Sequence, residues 1–202
     1  MYEKLDELLP KLKNRIRNEF NSLSVMGFDE LNVINTKKVT QEMFERLKRE
    51  NDKVYLKIAK SAYKDAGGAK SKIDEDWVAG VLSDYNLITG YLYFRESERK
   101  RLRLAEEILT AREYSDRKRY DESLRRTANL WWKQTNQYGI DIVDRATLQA
   151  YRDAGIKRVR WVTRIDGREC VTCKERNGNV YKLSEVPSKP HYGCRCYLEP
   201  VR

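Results

Sequence analysis

"CVTCKERNGNVYKLSEVPSKPHYGCRC", residues 170–196, contains all four cysteines of the 202-residue chain and its only histidine. Soft and borderline donors gathered this closely point to one shared cation. Cys170 and Cys173 form a Cys-x-x-Cys pair, whose tight turn aims two sulfurs at one point, and "HYGCRC" returns His191, Cys194 and Cys196. Zinc takes four such ligands in a tetrahedron, with sulfur at about 2.3 Å and imidazole nitrogen at about 2.0–2.1 Å. Five candidates therefore compete for four places. Cys170, Cys173 and His191 fill three, and Cys196 or Cys194 the fourth, because an extended "CRC" turns both cysteines to one face. The remaining thiol then packs beside the site.

Disulfides, a redox pair and free thiols are the competing readings. A lone histidine beside two disulfides has no role, and a redox Cys-x-x-Cys opens a helix in a βαβ setting that this sequence does not offer. "NGN" at 177–179 predicts a type I′ hairpin, with strands on either side that carry the second donor set back onto the first. A segment of this size rarely builds a sufficient core, and a structural zinc contributes on the order of 10 kcal/mol to folding. A catalytic zinc needs an open position and a nearby base. With His191 engaged no histidine is left, so the reading is a structural Zn2+ site and a chain that is not an enzyme. A metal-dependent nuclease is disfavoured for the same reason.

Upstream of the cysteines the period is two. In "KRVRWVTRI", Val159, Trp161 and Thr163 point one way and Arg158, Arg160 and Arg164 the other, a half-buried strand with a basic outer face. Before that the period is 3.6. Leu5, Leu8, Leu9, Leu12, Ile16, Phe20 and Leu23 form one stripe, with Pro10 expected to kink the helix or mark its start. A second helix is expected after Thr40 as N-cap and a third after Asp74, with "YNLITGYLY" as a turn. From Arg95 no proline or glycine occurs before Gly139, which predicts one helix of about 60 Å whose middle is polar. Trp131 and Trp132 are expected to pack rather than stack on bases. A short helix capped by Asp144 and closed by Gly155 precedes the strand.

The fold expectation is α+β: a mostly α-helical region with long helices, 1–150, followed by a small antiparallel β zinc-binding module, 151–202. Charged residues make up 36% and the net charge is +10. No apolar run approaches the ~20 residues that cross a bilayer, so the reading is a soluble chain of a reducing cytoplasm with no membrane partner. Residues 151–202 are the more basic part, which favours anionic partners. Arg158, Arg160, Arg164, Arg168, Lys174, Arg176, Lys182, Lys189 and Arg195 are the candidates for phosphate contact.

The stretch "RVRWVTRIDGRECVTCKERNGNVYKLSEVPSKPHYGCRCYLEPV" resembles the C-terminal module of the phage head morphogenesis family, the Mu F-like minor capsid proteins. Asp166, Cys170, Cys173, Gly178, Pro187, Pro190, His191, Cys194, Arg195 and Cys196 match its pattern, although the family's "HPNCRC" is "HYGCRC" here. The likeness covers about the last 45 residues, with a weaker echo in "YLYFRESERKRLRLAEEI" and "ATLQAYRDAGIKRVRWV". It implies a low-copy virion protein of the capsid interior or portal vertex, entering from the host cytoplasm during assembly. The implied partners are the portal protein or other capsid components and, through the basic module, packaged double-stranded DNA. The alternative is a zinc-dependent nucleic-acid-binding regulator outside any virion, which needs a recognition helix.

Overall fold

The computed structural model describes residues 1–26, 28, 33–69, 73–85, 103–165, 167 and 169–201. The chain is α+β: long helices dominate, and one three-stranded antiparallel sheet lies near the C-terminus. The expected turn at "YNLITGYLY" lies outside the described residues apart from Tyr85, and Asp166 and Arg168 also lie outside them.

Helix α1 spans Glu3–Val25 and passes through Pro10 without ending, so the proline does not mark its start. Its stripe is buried at Leu5, Leu8, Leu12, Ile16, Phe20 and Leu23. Helix α2 spans Val33–Asp65 and begins upstream of Thr40. Thr40 is no N-cap: its buried hydroxyl donates to the Thr36 carbonyl at 2.8 Å, a back-bond that lets threonine sit inside a helix. Helix α3, Glu75–Tyr85, starts as expected, with Asp74 accepting the Trp77 N–H at 2.8 Å.

The single helix expected from Arg95 is broken. Residues 103–113 are helical (α4), and α5 runs Arg117–Asp153. Between them Ser115 takes a left-handed φ of 51° and Asp116 accepts the Arg119 N–H at 2.9 Å, closing one helix and capping the next. Helix α5 then absorbs Gly139 and Asp144, so no separate helix starts at Asp144. Gly155, at φ 70°, ends it, with the Ile156 N–H reaching the Tyr151 carbonyl at 2.9 Å.

Strand β1 (Arg158–Val162) lies between β2 (Val180–Lys182) and β3 (Tyr197–Val201). Val159 and Trp161 are buried, while Arg158 and Arg160 are exposed, as the alternation predicts. Arg158 stands opposite Lys182 and Val201, and Val159 opposite Pro200 on the outer strand β3. The "NGN" hairpin does not form. Residues Val171–Arg176 make a short helix, α6, with Asn177 at its end, so a helix stands where the hairpin's first strand was expected, and β2 pairs with β1 instead. The Asn177 side chain is engaged elsewhere, accepting the Thr163 N–H at 2.9 Å.

Two compact units result. One comprises Met1–Glu7, Tyr55–Val78 and Asn136–Arg202; the other comprises Leu8–Val54 and Ala79–Thr135. The boundary expected at 150/151 falls inside α5 and inside the first unit. In that unit Gly139 lets α5 approach α1 closely: a Cβ there would meet Leu5 Cδ1 at 2.3 Å. The core of the second unit gathers Ile16, Phe20, Leu23, Phe44, Leu104, Ile108 and Tyr120. Trp131 and Trp132 pack against it, Trp131 stacking on Phe44 at 4.9 Å between ring centroids.

Candidate metal centre

Cys170 is the N-cap of α6, and its sulfur accepts the Cys173 N–H at 3.3 Å. The turn thus supplies a hydrogen bond to one sulfur while directing the second inward. Thr163, at the end of β1, donates its hydroxyl to the Cys173 carbonyl at 2.6 Å and fixes the turn to the sheet. Cys173, Cys194 and Cys196 are buried with Trp161, and Cys170 packs against them.

The donors form two overlapping triads. Cys170, Cys173 and His191 have their ligand atoms within 4.8 Å of one another, and so do Cys173, Cys194 and Cys196. Cys173 Sγ lies 3.6 Å from His191 Nε2 and 3.6 Å from Cys194 Sγ. A tetrahedral zinc with the bond lengths above has edges of about 3.6 Å for sulfur to nitrogen and about 3.8 Å for sulfur to sulfur. The donor set therefore fits such an ion in type and in spacing. No disulfide joins the four cysteines.

The histidine tautomer follows from its other nitrogen. His191 Nδ1 is 2.9 Å from the Tyr192 carbonyl, which can only accept, so Nδ1 carries the proton and the Nε2 lone pair faces Cys173. Burial pushes the Cys173 thiol far up, and hydrogen bonds and charge from the neighbouring cysteines add to the effect. Burial also raises Cys194. At Cys196 burial acts the same way but is outweighed by hydrogen bonds, foremost from the Arg164 backbone N–H, and the thiol is lowered. Several buried thiolates repel one another; a divalent cation removes that penalty.

The returning loop is held by Gln137 and Tyr2, which the sequence did not single out, and by Asp144, Lys189 and Arg195 in roles it did not announce. Gly193 donates its N–H to Gln137 Oε1 at 2.7 Å, and the Gln137 amide is oriented by both Asp141 oxygens at 3.1 Å. Lys189 Nζ directs its three protons to three acceptors: Asp144 Oδ2 at 2.6 Å, the Cys194 carbonyl at 3.0 Å, and the Tyr2 hydroxyl. Tyr2 in turn donates to Asp144 Oδ1 at 2.5 Å. Arg195 pairs with Asp6. The loop bearing His191 and Cys194 is thus tied to α5 and to the first turn of α1. The signal available in the sequence is an aspartate within the apolar stretch before "ATLQAY", where the local pattern favours a cap.

These contacts divide the nine candidate phosphate-binding residues. Arg158, Arg160 and Lys182 share one exposed face of the sheet, with Glu199 opposite Arg160. Lys174 is exposed on α6. Lys189 and Arg195 are committed to the ion pairs above, and Arg164 lies 3.9 Å from Asp6. Arg176 sits over the Trp161 ring at 5.3 Å and donates to the Ser188 carbonyl at 2.7 Å. Arg168 lies outside the described residues.

Among the described residues no helix is long and apolar enough to cross a membrane. Comparison of the chain with models of known families, with curated proteins and with solved structures finds no match.

Proposed function

We propose that the chain is a non-enzymatic assembly protein of a tailed-phage head, a minor capsid or head morphogenesis protein of the portal vertex, with a structural zinc at Cys170, Cys173, His191 and Cys194 or Cys196. One observation carries the reading: five soft donors from two separated stretches converge with spacings that suit a tetrahedral ion. These donors belong to the motif by which the sequence resembles the Mu F-like module. When bound, zinc supplies a cross-link between the α6 turn and the His191–Cys196 loop. The chain's own residues do the rest: Cys170 and Thr163 set the first turn, and Gln137, Asp144 and Tyr2 set the second.

The exposed face of Arg158, Arg160 and Lys182 supports contact with packaged double-stranded DNA through phosphates, a contact blind to base sequence and steep in salt. The test of the assembly role is recovery of the chain, with stoichiometric zinc, from purified particles, and its placement at the portal vertex in a particle reconstruction. Particles devoid of the chain would overturn it. A binding constant for duplex DNA that does not change with salt would remove DNA from the proposal.

A further inference from the structure

Within the second unit, α1 and α5 run antiparallel and leave a groove of about 600 Å³ between them. Tyr120 donates to the Leu23 carbonyl at 2.7 Å at one end, and Lys13 lies over the Trp132 ring at 5.5 Å at the other. Lys13 and Arg17 line the α1 wall, and Arg117, Asp121 and Arg125 the α5 wall. Asp121 is the one carboxylate, and it lies 3.7 Å from Arg117. Among the described residues no carboxylate pairs with Lys13, Arg17 or Arg125. Between the walls the floor is apolar, formed by Phe20, Leu124, Ala128 and Trp132.

We propose that this groove docks an acidic amphipathic helix of another protein. Three features select that occupant. The walls are long, about 16 Å over the twelve residues from Lys13 to Ser24, which is the length of three helical turns. The cations repeat every four or eight residues, rises of about 6 and 12 Å, which match carboxylates at i, i+4 and i+8 on a facing helix. The apolar floor suits the seam of such a helix, as in helix-in-groove recognition.

A nucleic-acid strand matches the charge but not the floor. Its bases would need a row of free aromatic faces, and of the two aromatic residues lining the groove Phe20 is buried and only the half-buried Trp132 offers one. A second copy of this chain, at a net +10, has the wrong sign. The docking proposal does not depend on zinc or on the phage reading.

The test is a surface-displayed library of helices of about 18 residues, with a fixed leucine seam and randomised flanks, selected against the full chain. Selected clones are expected to be enriched in Asp and Glu on the flanks. A synthetic selected peptide is expected to lose affinity as salt rises, and to bind Arg17→Glu/Arg125→Glu about tenfold or more weakly. Both arginines are exposed, so unchanged circular dichroism and melting confirm that the variant folds. The neutral pair Arg17→Gln/Arg125→Gln is expected to show a smaller loss in the same direction. Absence of acidic enrichment, or equal binding to the native and reversed-charge chains, overturns the proposal. So does a labelled oligothymidylate of about 20 nucleotides that binds more tightly than the peptide and is released by the same substitutions.

Discussion

Lys189 Nζ meets Asp144 Oδ2 at 2.6 Å, and among the described residues neither forms a second salt bridge. Burial pushes the Asp144 carboxyl up, and Lys189 and the Tyr2 hydroxyl oppose the shift. Lys189→Met is therefore expected to cost about 2–3 kcal/mol in urea unfolding, because it leaves a largely buried carboxylate without its cation. Adding Asp144→Leu to that variant is expected to recover much of the loss. A single-variant loss below about 1 kcal/mol would mean that water already reaches the pair.

Cys173 belongs to both donor triads, which ranks the cysteines. The purified chain is expected to hold about one zinc by elemental analysis. Cys173→Ser is expected to abolish it. Cys194→Ser and Cys196→Ser each leave four donors and are expected to retain the metal with weaker affinity. Far-UV circular dichroism of Cys173→Ser is expected to keep most of its helical signal, since the second unit has a core of its own. Collapse of the whole helical signal would show that both units depend on the metal.

Gly139→Ala sets helix propensity against sterics. Alanine favours a helix interior by about 1 kcal/mol, but its Cβ would lie 2.3 Å from the methyl of fully buried Leu5. Overpacking of this kind costs about 1–3 kcal/mol, so the net result is expected to be a loss, and Leu5→Ala in the same chain is expected to offset part of it. A more stable Gly139→Ala would mean that Leu5 has room to turn.

Tyr151 gives the alkaline limb its sign. Burial, with the Glu199 charge second, pushes its phenol up to about 12, and its hydroxyl donates to the Leu198 carbonyl at 2.9 Å. In the unfolded chain the same phenol ionises near pH 10, so above that pH the folded state holds a proton that the unfolded state has released. Stability is therefore expected to fall as pH rises from about 10 to 12, by about 2 kcal/mol for this residue. Tyr151→Phe is expected to flatten that part of the profile while losing about 1 kcal/mol at neutral pH with the hydrogen bond. An unchanged alkaline slope in the variant would assign the loss to other tyrosines.

The parts legible in the sequence were those in which a local pattern also decides burial. The alternation of "RVRWV" set the sheet's two faces, the α1 stripe set its core side, and the cysteine spacing set the donor cluster. The rest failed where long-range contacts outvote local signals. Gly139 reads as a stop but is required by the close passage of Leu5, and Asp144 reads as a cap but serves Lys189 and Tyr2 from far away in sequence. At Ser115 and Asp116 the end of a helix was written in residues that a charged, glycine-free run conceals. Asn177 prefers the Thr163 N–H to a hairpin turn, which frees β2 to choose β1.

Pro200 has one more effect. It occupies the outermost ribbon of the sheet and brings no amide proton to it. A stray polypeptide sliding alongside therefore misses a rung of the ladder it would need in order to zip on. Concentrated chains are thus expected to resist adhering flank to flank, and Pro200→Val is expected to weaken that resistance.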